Sequence, residues 1–213
     1  MIGLCGANGT GKTTIAEEAS KAIELPFVKS TTSVVFKRMN LDPSKKLDFV
    51  TRMKVQFEIL DELERQWSSI PDGRFISDRT PIDLIGYTLV EMQQEPELTE
   101  EQTRIVETYI AKCIEVTNRR FSTIIFVYPG LNITEEREFK ATNNRVFVEH
   151  LSRIMLGTLI ESCVKAAHFY IPRHMTDQKQ RVEAVKYVYE KSIKSMLDAI
   201  KGAKEQGYDN VLH

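Results

Sequence analysis

Cysteine is scarce in this chain, and what there is lies scattered. Its 3 cysteines, Cys5, Cys113 and Cys163, form no C-x-x-C pair. That spacing argues against a disulfide framework and against a zinc site. It fits free thiols in a reducing compartment, so a cytoplasmic location is expected. No run of about 18 apolar residues occurs, so no membrane-spanning helix is expected. The first apolar segment begins almost at Met1 and reads as a strand, so no signal peptide is expected. Charge of one sign is lacking too: 29 Lys and Arg stand against 30 Asp and Glu, a formal net charge of -1. Without a global basic field, nucleic acid is a disfavoured partner, a local basic patch aside. Internal repeats and low-complexity tracts are absent. At 213 residues the chain is expected to fold as a single domain, 1–213, with a sizeable core.

What is present begins at the N-terminus. The apolar run Ile2–Cys5 meets Gly6, and Gly6-Ala7-Asn8-Gly9-Thr10-Gly11-Lys12-Thr13 reads G-x-x-x-x-G-K-T. A helix-compatible stretch, Thr14 to Ala19, follows. Apolar strand, glycine-rich turn and helix together make the phosphate-binding loop pattern. Glycines let successive backbone N–H groups turn inward onto phosphate oxygens. Lys12 supplies a point charge for the β- and γ-phosphates, and the Thr13 hydroxyl is placed to ligate Mg²⁺. The helix after the loop turns its positive end toward the same anion. Residues Gly6 to Thr14 are therefore the candidate donor site, with ATP and Mg²⁺ as the expected cofactors.

Hydropathy patterning sets the frame. Strands are expected over 2–5, 25–28, 74–77, 122–128 and 167–172. Helices are expected over 12–23, 47–70, 81–92, 100–118, 143–164 and 176–204, with 205–213 a frayed tail. Residues 47–70 repeat apolar positions every third or fourth residue, and Pro71-Asp72-Gly73 ends them. Thr80-Pro81 reads as a helix cap with proline at the first helical position, and Thr99 with Gln102 as a capping box. The run Ile124–Val127 is continuously apolar, as in a strand buried on both faces of a parallel sheet. Alternating strands and helices predict an α/β fold: a three-layer α/β/α arrangement around a five-stranded parallel sheet. Ligands lie at the carboxyl ends of such strands. That edge collects the loop at Gly6, the hydroxyls of residues 30–32, Asp78-Arg79, Tyr128-Pro129 and Ile171-Pro172. The hydroxyls at 30–32 suit either a ligand or a helix cap at Thr32 or Ser33.

Asp78-Arg79 is the second informative pair. A carboxylate there can hold Mg²⁺ or take a proton, and a guanidinium can clamp a phosphate bidentately. An ordinary Asp–Arg pair capping the next helix is the plain alternative. Asp83, one helical turn on, faces either the cleft or solvent.

The loop Gly6–Thr13, followed by Phe75-Ile76-Ser77-Asp78-Arg79-Thr80-Pro81-Ile82-Asp83, resembles the P-loop kinases of small nucleosides and nucleotides. The pattern is similar to the AAA-like nucleotide kinase group of phage and nicotinamide riboside kinase-like proteins, and thymidylate kinases carry a similar Asp-Arg. The resemblance implies that Arg79 binds an acceptor phosphate and that Asp78 lies near Mg²⁺ and the acceptor. It implies a helical lid over about 131–153 whose arginines stabilise the transferring phosphoryl group. Arg137 and Arg145 fit that place, with Lys140 and Arg153 as alternatives. This lid departs from the pattern in carrying equal acid and base. The resemblance also makes Arg52 and Gln56 candidate acceptor contacts.

The function expected is Mg²⁺-dependent phosphoryl transfer from ATP to a (deoxy)nucleoside monophosphate. A nucleoside such as nicotinamide riboside, or a hydroxymethylated base in DNA, is the alternative acceptor. A nucleotide-dependent ATPase switch is the alternative of another class. It is disfavoured because the strand 124–127 ends in Tyr128-Pro129 and not in an acid. Helices 81–92 and 100–118 are apolar enough to pair in a homodimer, and core packing explains them equally well.

Overall fold

Each of the 4 residues of strand β1 (Ile2–Cys5) is buried, and the strand is paired on both sides. It lies at the centre of a sheet of order β2-β3-β1-β4-β5, formed with β2 (Phe27–Val28), β3 (Ile76–Ser77), β4 (Thr123–Val127) and β5 (Ala167–Ile171). All the pairings are parallel, with Ile2 opposite both Ile76 and Thr123. The computed structural model describes residues 1–95, 97–131, 144–161 and 163–205.

Helices flank both faces. On one side α1 (Lys12–Ala22) and α7 (Gln178–Glu205) pack on Ile2, Leu4, Ile76, Ile125 and Val127 through Ile15, Ala19, Val182 and Val185. On the other side lie α3 (Phe49–Ser68), α4 (Pro81–Met92), α5 (Glu100–Arg120) and α6 (Arg145–Leu159). Their Leu60, Leu63, Trp67, Ile82, Tyr109, Cys113, Leu151 and Met155 enclose Ile124 and Phe126. The expected three-layer α/β/α arrangement is thus observed. Two apolar layers on opposite faces of one sheet explain why β4 shows no alternation: all 5 of its residues are buried.

Local chemistry sets the ends. Asp48 caps α3 by accepting from the Thr51 N–H, and Thr99 with Gln102 forms the expected capping box on α5. A short helix, α2 (Ser33–Arg38), was not legible in the pattern. Its Thr32 occupies the cap position without a side-chain hydrogen bond, so the cap expected of that hydroxyl is not formed. The apolar faces of α4 and α5 are used inside the chain, against α3 and α6. No described helix is long and apolar enough to cross a membrane.

Candidate active site

The loop after β1 has the backbone its glycines foretell. Gly6, Gly9 and Gly11 have φ of 145°, 80° and 87°. A Cβ on Gly6 would also lie 2.6 Å from the Val127 carbonyl oxygen, so the loop packs directly against the end of β4. Gly11 is the N-cap of α1 and no side chain caps that helix. Its first-turn N–H groups are therefore open to an anion at the positive end of the helix.

Lys12 is buried and folded back over its own loop. Its ammonium donates to the Gly6 and Ala7 carbonyls, the latter at 2.8 Å, and lies 4.0 Å from Asp83 Oδ1. Burial lowers its pKa, and the Asp83 carboxylate is the main pull in the other direction. Thr10 donates to the Ala7 carbonyl at 2.9 Å, which tightens the turn. Asn8 and Thr13 are half-buried, and Gly9 and Thr14 are exposed.

Thr13 and Asp78 meet. The Thr13 hydroxyl donates to Asp78 Oδ2 at 2.6 Å. Asp78 Oδ1 accepts from the Ser30 N–H at 2.9 Å and from its hydroxyl at 2.8 Å. The hydroxyl at the end of β2 thus orients the acid at the end of β3. Two hard oxygens, one neutral and one ionisable, suit Mg²⁺, which uses few protein ligands and completes its shell with water and phosphate. No cluster of three or more His, Cys, Asp or Glu exists among the described residues, so no all-protein metal cage competes with this reading.

Arg79 does not pair with Asp78. Its guanidinium carbon sits 5.5 Å from the centre of the Tyr87 ring, a cation–π contact. Among the described residues it has no ion pair. The Tyr87 hydroxyl is buried beside the Asn8 N–H but makes no well-formed hydrogen bond, and burial pushes its pKa up.

Asp83 answers the question its position raised in neither expected way. It is 1% exposed, and it faces the back of the loop rather than the cleft or solvent. Oδ1 accepts from the Gly6 N–H at 3.1 Å, and Oδ2 accepts from the Thr80 N–H and hydroxyl at 2.9 and 2.8 Å. The helix cap of α4 is thereby also a tether for the phosphate loop. The signal was present: Thr80-Pro81-Ile82-Asp83 is a capping box with Asp in place of Glu.

Arg52 and Gln56 are buried in the helical layer. Arg52 donates to Glu95 at 2.9 Å and to the Leu47 carbonyl at 2.7 Å, while Gln56 reaches Glu91 at 3.4 Å. Their polar groups are thus already engaged by α4 and by the segments that flank it and α3. Arg145 begins α6, is exposed, and makes no ion pair among the described residues. Arg137 and Lys140 lie outside the described residues, and Arg153 is exposed on α6. His168 is exposed on the edge strand β5 against Tyr170, at a ring distance of 5.7 Å.

Arg181, in the first turn of α7, drew no attention in the sequence. It is fully buried and donates to the Thr10 carbonyl at 2.8 Å and to the Met175 carbonyl at 2.6 Å. No motif spacing marks it, because the contact spans 171 residues.

No protein-family model matches the chain, and no curated protein matches it in sequence. Solved structures do. A deoxyadenosine kinase from M. mycoides with bound dCTP superposes with a TM-score of 0.63 at 16% identity, over 89% of this chain and 98% of that one. The fold is that of the P-loop nucleoside and nucleotide kinases. The same M. mycoides kinase with the products dCMP and dCDP gives a TM-score of 0.59 at 18% identity, over 89% and 98% of the two chains. NadR protein in complex with NR gives 0.58 at 19% identity, over 89% of this chain and 50% of that one. At such identities the likeness carries the fold and no residue roles.

Proposed function

We propose that this single P-loop domain transfers the terminal phosphoryl group of ATP to a (deoxy)nucleoside monophosphate. The observation that carries the reading is the meeting of Thr13 and Asp78 at 2.6 Å, beside Lys12 and the open end of α1. The loop and α1 hold the donor phosphates with backbone N–H groups. Lys12 exchanges the Gly6 and Ala7 carbonyls for phosphate oxygens and balances charge as the bond to the leaving oxygen breaks. Thr13 and Asp78 would hold Mg²⁺, which neutralises phosphate charge when bound. With both its oxygens already oriented, Asp78 serves as a fixed acceptor facing the loop. Arg79 offers its guanidinium to the phosphate of the acceptor, steadied by the Tyr87 ring. Arg137 and Arg145 remain the lid residues proposed to approach the transferring group. Catalysis of this kind is mostly positioning and electrostatics.

A nucleoside acceptor is the second reading. It is favoured by the ligands of two structural neighbours, a deoxyadenosine kinase holding dCMP as product and a NadR protein holding NR. In that case Arg79 contacts the transferring phosphoryl group alone.

The test is labelled ATP with a panel of deoxynucleoside monophosphates, their nucleosides and nicotinamide riboside. Label transfer to a monophosphate supports the first reading, and transfer to nucleosides only replaces it with the second. Fast ATP hydrolysis with no acceptor phosphorylated would overturn both in favour of an ATPase switch.

A further inference from the structure

Arg181 is the most conspicuous charged group left without a task. Its side chain is 0% exposed. It reaches from the first turn of α7 beneath the phosphate loop, where Nη1 donates to the Thr10 carbonyl at 2.8 Å. Nε donates to the Met175 carbonyl at 2.6 Å, in the turn between β5 and α7. Nη2 is buried and has no hydrogen-bond partner among the described residues. Among the described residues no carboxylate pairs with this guanidinium. Contact with the loop is close: a Cβ on Gly11 would lie 3.2 Å from Nη1 and 3.1 Å from Leu131 Cδ1.

A buried cation without a counter-charge is destabilising, and burial lowers the pKa of Arg181 accordingly. An apolar side chain of similar length would fill the same space without that penalty. What the guanidinium adds is a donor that fixes the Thr10 carbonyl and a positive charge next to Gly11. Carbonyl oxygens pointing into a phosphate cradle repel phosphate, whereas those drawn away from it leave the N–H groups facing inward.

We propose that Arg181 is a positioning residue for the nucleotide loop. It holds the Thr10 carbonyl out of the cradle and supplies a fixed positive charge behind it, which the triphosphate compensates on binding. The proposal rests on the donor half of the function above. It also couples α7 to the donor: whatever bound ATP gains from the guanidinium, the guanidinium gains from ATP.

The experiment compares wild type with Arg181→Lys and Arg181→Met, once circular dichroism shows each to be folded. ATP affinity is measured by calorimetry, melting temperature with and without Mg·ATP, and KM for donor and acceptor separately. For Arg181→Met the expected result is a rise in ATP KM of roughly tenfold or more, as for loss of a charged hydrogen-bond donor. Acceptor KM should stay within about twofold, and the ATP-induced rise in melting temperature should shrink. Arg181→Lys keeps the charge and should recover most of the donor affinity. Three results would overturn the role: unchanged ATP affinity in Arg181→Met, equal losses for donor and acceptor, or equal impairment of the Lys and Met variants. If Arg181→Met does not fold, Arg181→Gln takes its place as the neutral arm. A wild-type protein that binds no ATP would sink the donor reading itself, which is a different failure from ATP binding that ignores residue 181.

Discussion

Asp83 accepts a hydrogen bond from the backbone N–H of Gly6 at 3.1 Å, across 77 positions of chain. One carboxylate thus ends a helix and holds the phosphate loop, while Lys12 lies 4.0 Å away. Asp83→Asn puts an amide NH₂ against either the Gly6 N–H or the Thr80 N–H, so one buried donor loses its acceptor. The expected loss is about 1–3 kcal/mol of stability in urea unfolding, together with weaker ATP binding. Stability equal to wild type would show that the tether is not needed.

Lys12 and Thr13 should fail in different ways. Lys12→Ala should abolish phosphoryl transfer, because no other described cation lies within the loop. Thr13→Val keeps the shape and loses only the hydroxyl, so its activity should need more Mg²⁺ for half-saturation. Chelating divalent ions should silence wild type altogether. A Mg²⁺ titration identical in wild type and Thr13→Val would remove Thr13 from the metal site.

Arg79 decides between acceptors. If the acceptor carries a phosphate, Arg79→Ala should chiefly raise acceptor KM, by roughly tenfold or more for loss of a charged hydrogen-bonding partner. A fall in kcat with KM unchanged would move the guanidinium onto the transferring group and the acceptor toward a nucleoside. Steady-state kinetics with the acceptor varied at saturating ATP separates the two.

Acid should expose a structural pair that joins α2 to α3. Glu62 accepts from Arg38 at 2.9 Å and from Gln66 at 3.1 Å, and it also pairs with Arg65. The Arg38 hydrogen bond is the largest cause of its lowered pKa, relative to the ordinary 4.5. A carboxylate lowered on folding adds stability that is fully present above the unfolded value and fades as pH falls through the folded one. Urea midpoints followed downward from pH 6 should fall in wild type below about pH 4.5, with a shallower fall in Glu62→Gln. Parallel curves would show that Glu62 contributes nothing to the acid response.

Much of this was legible because local chemistry enforces it. Glycines at Gly6, Gly9 and Gly11 require a turn with positive φ, and a capping box at Thr99 and Gln102 requires a helix start. The five strands were found because β1 and the Ile124–Val127 part of β4 are short apolar runs and the other three are bounded by turns. Asp78 was recognisable from its place at the end of a strand. Its partner Ser30 was seen only as one of three hydroxyls, because nothing local says which of them turns toward β3. Asp83 was misread because its position on α4 leaves open whether it faces outward or back to the loop. Arg181 was missed for a related reason: it is read as one charge on an amphipathic helix until the fold brings the Thr10 carbonyl against it. Contacts made by topology rather than spacing leave no periodic trace.

The position of β1 between β3 and β4 also governs how tightly the chemistry is held. Gly3 and Leu4 pair with β4 on one side, and Ile2 and Gly3 with β3 on the other. Amides in a buried middle strand are expected to exchange at the slow end of the range, close to the free energy of global opening. The phosphate loop follows directly on β1 and Asp78 directly on β3, so the sheet sets where both halves of the site begin. Wear on this site, through heating or denaturant, should therefore be all-or-none: the donor pocket lasts as long as the fold does, and goes with it.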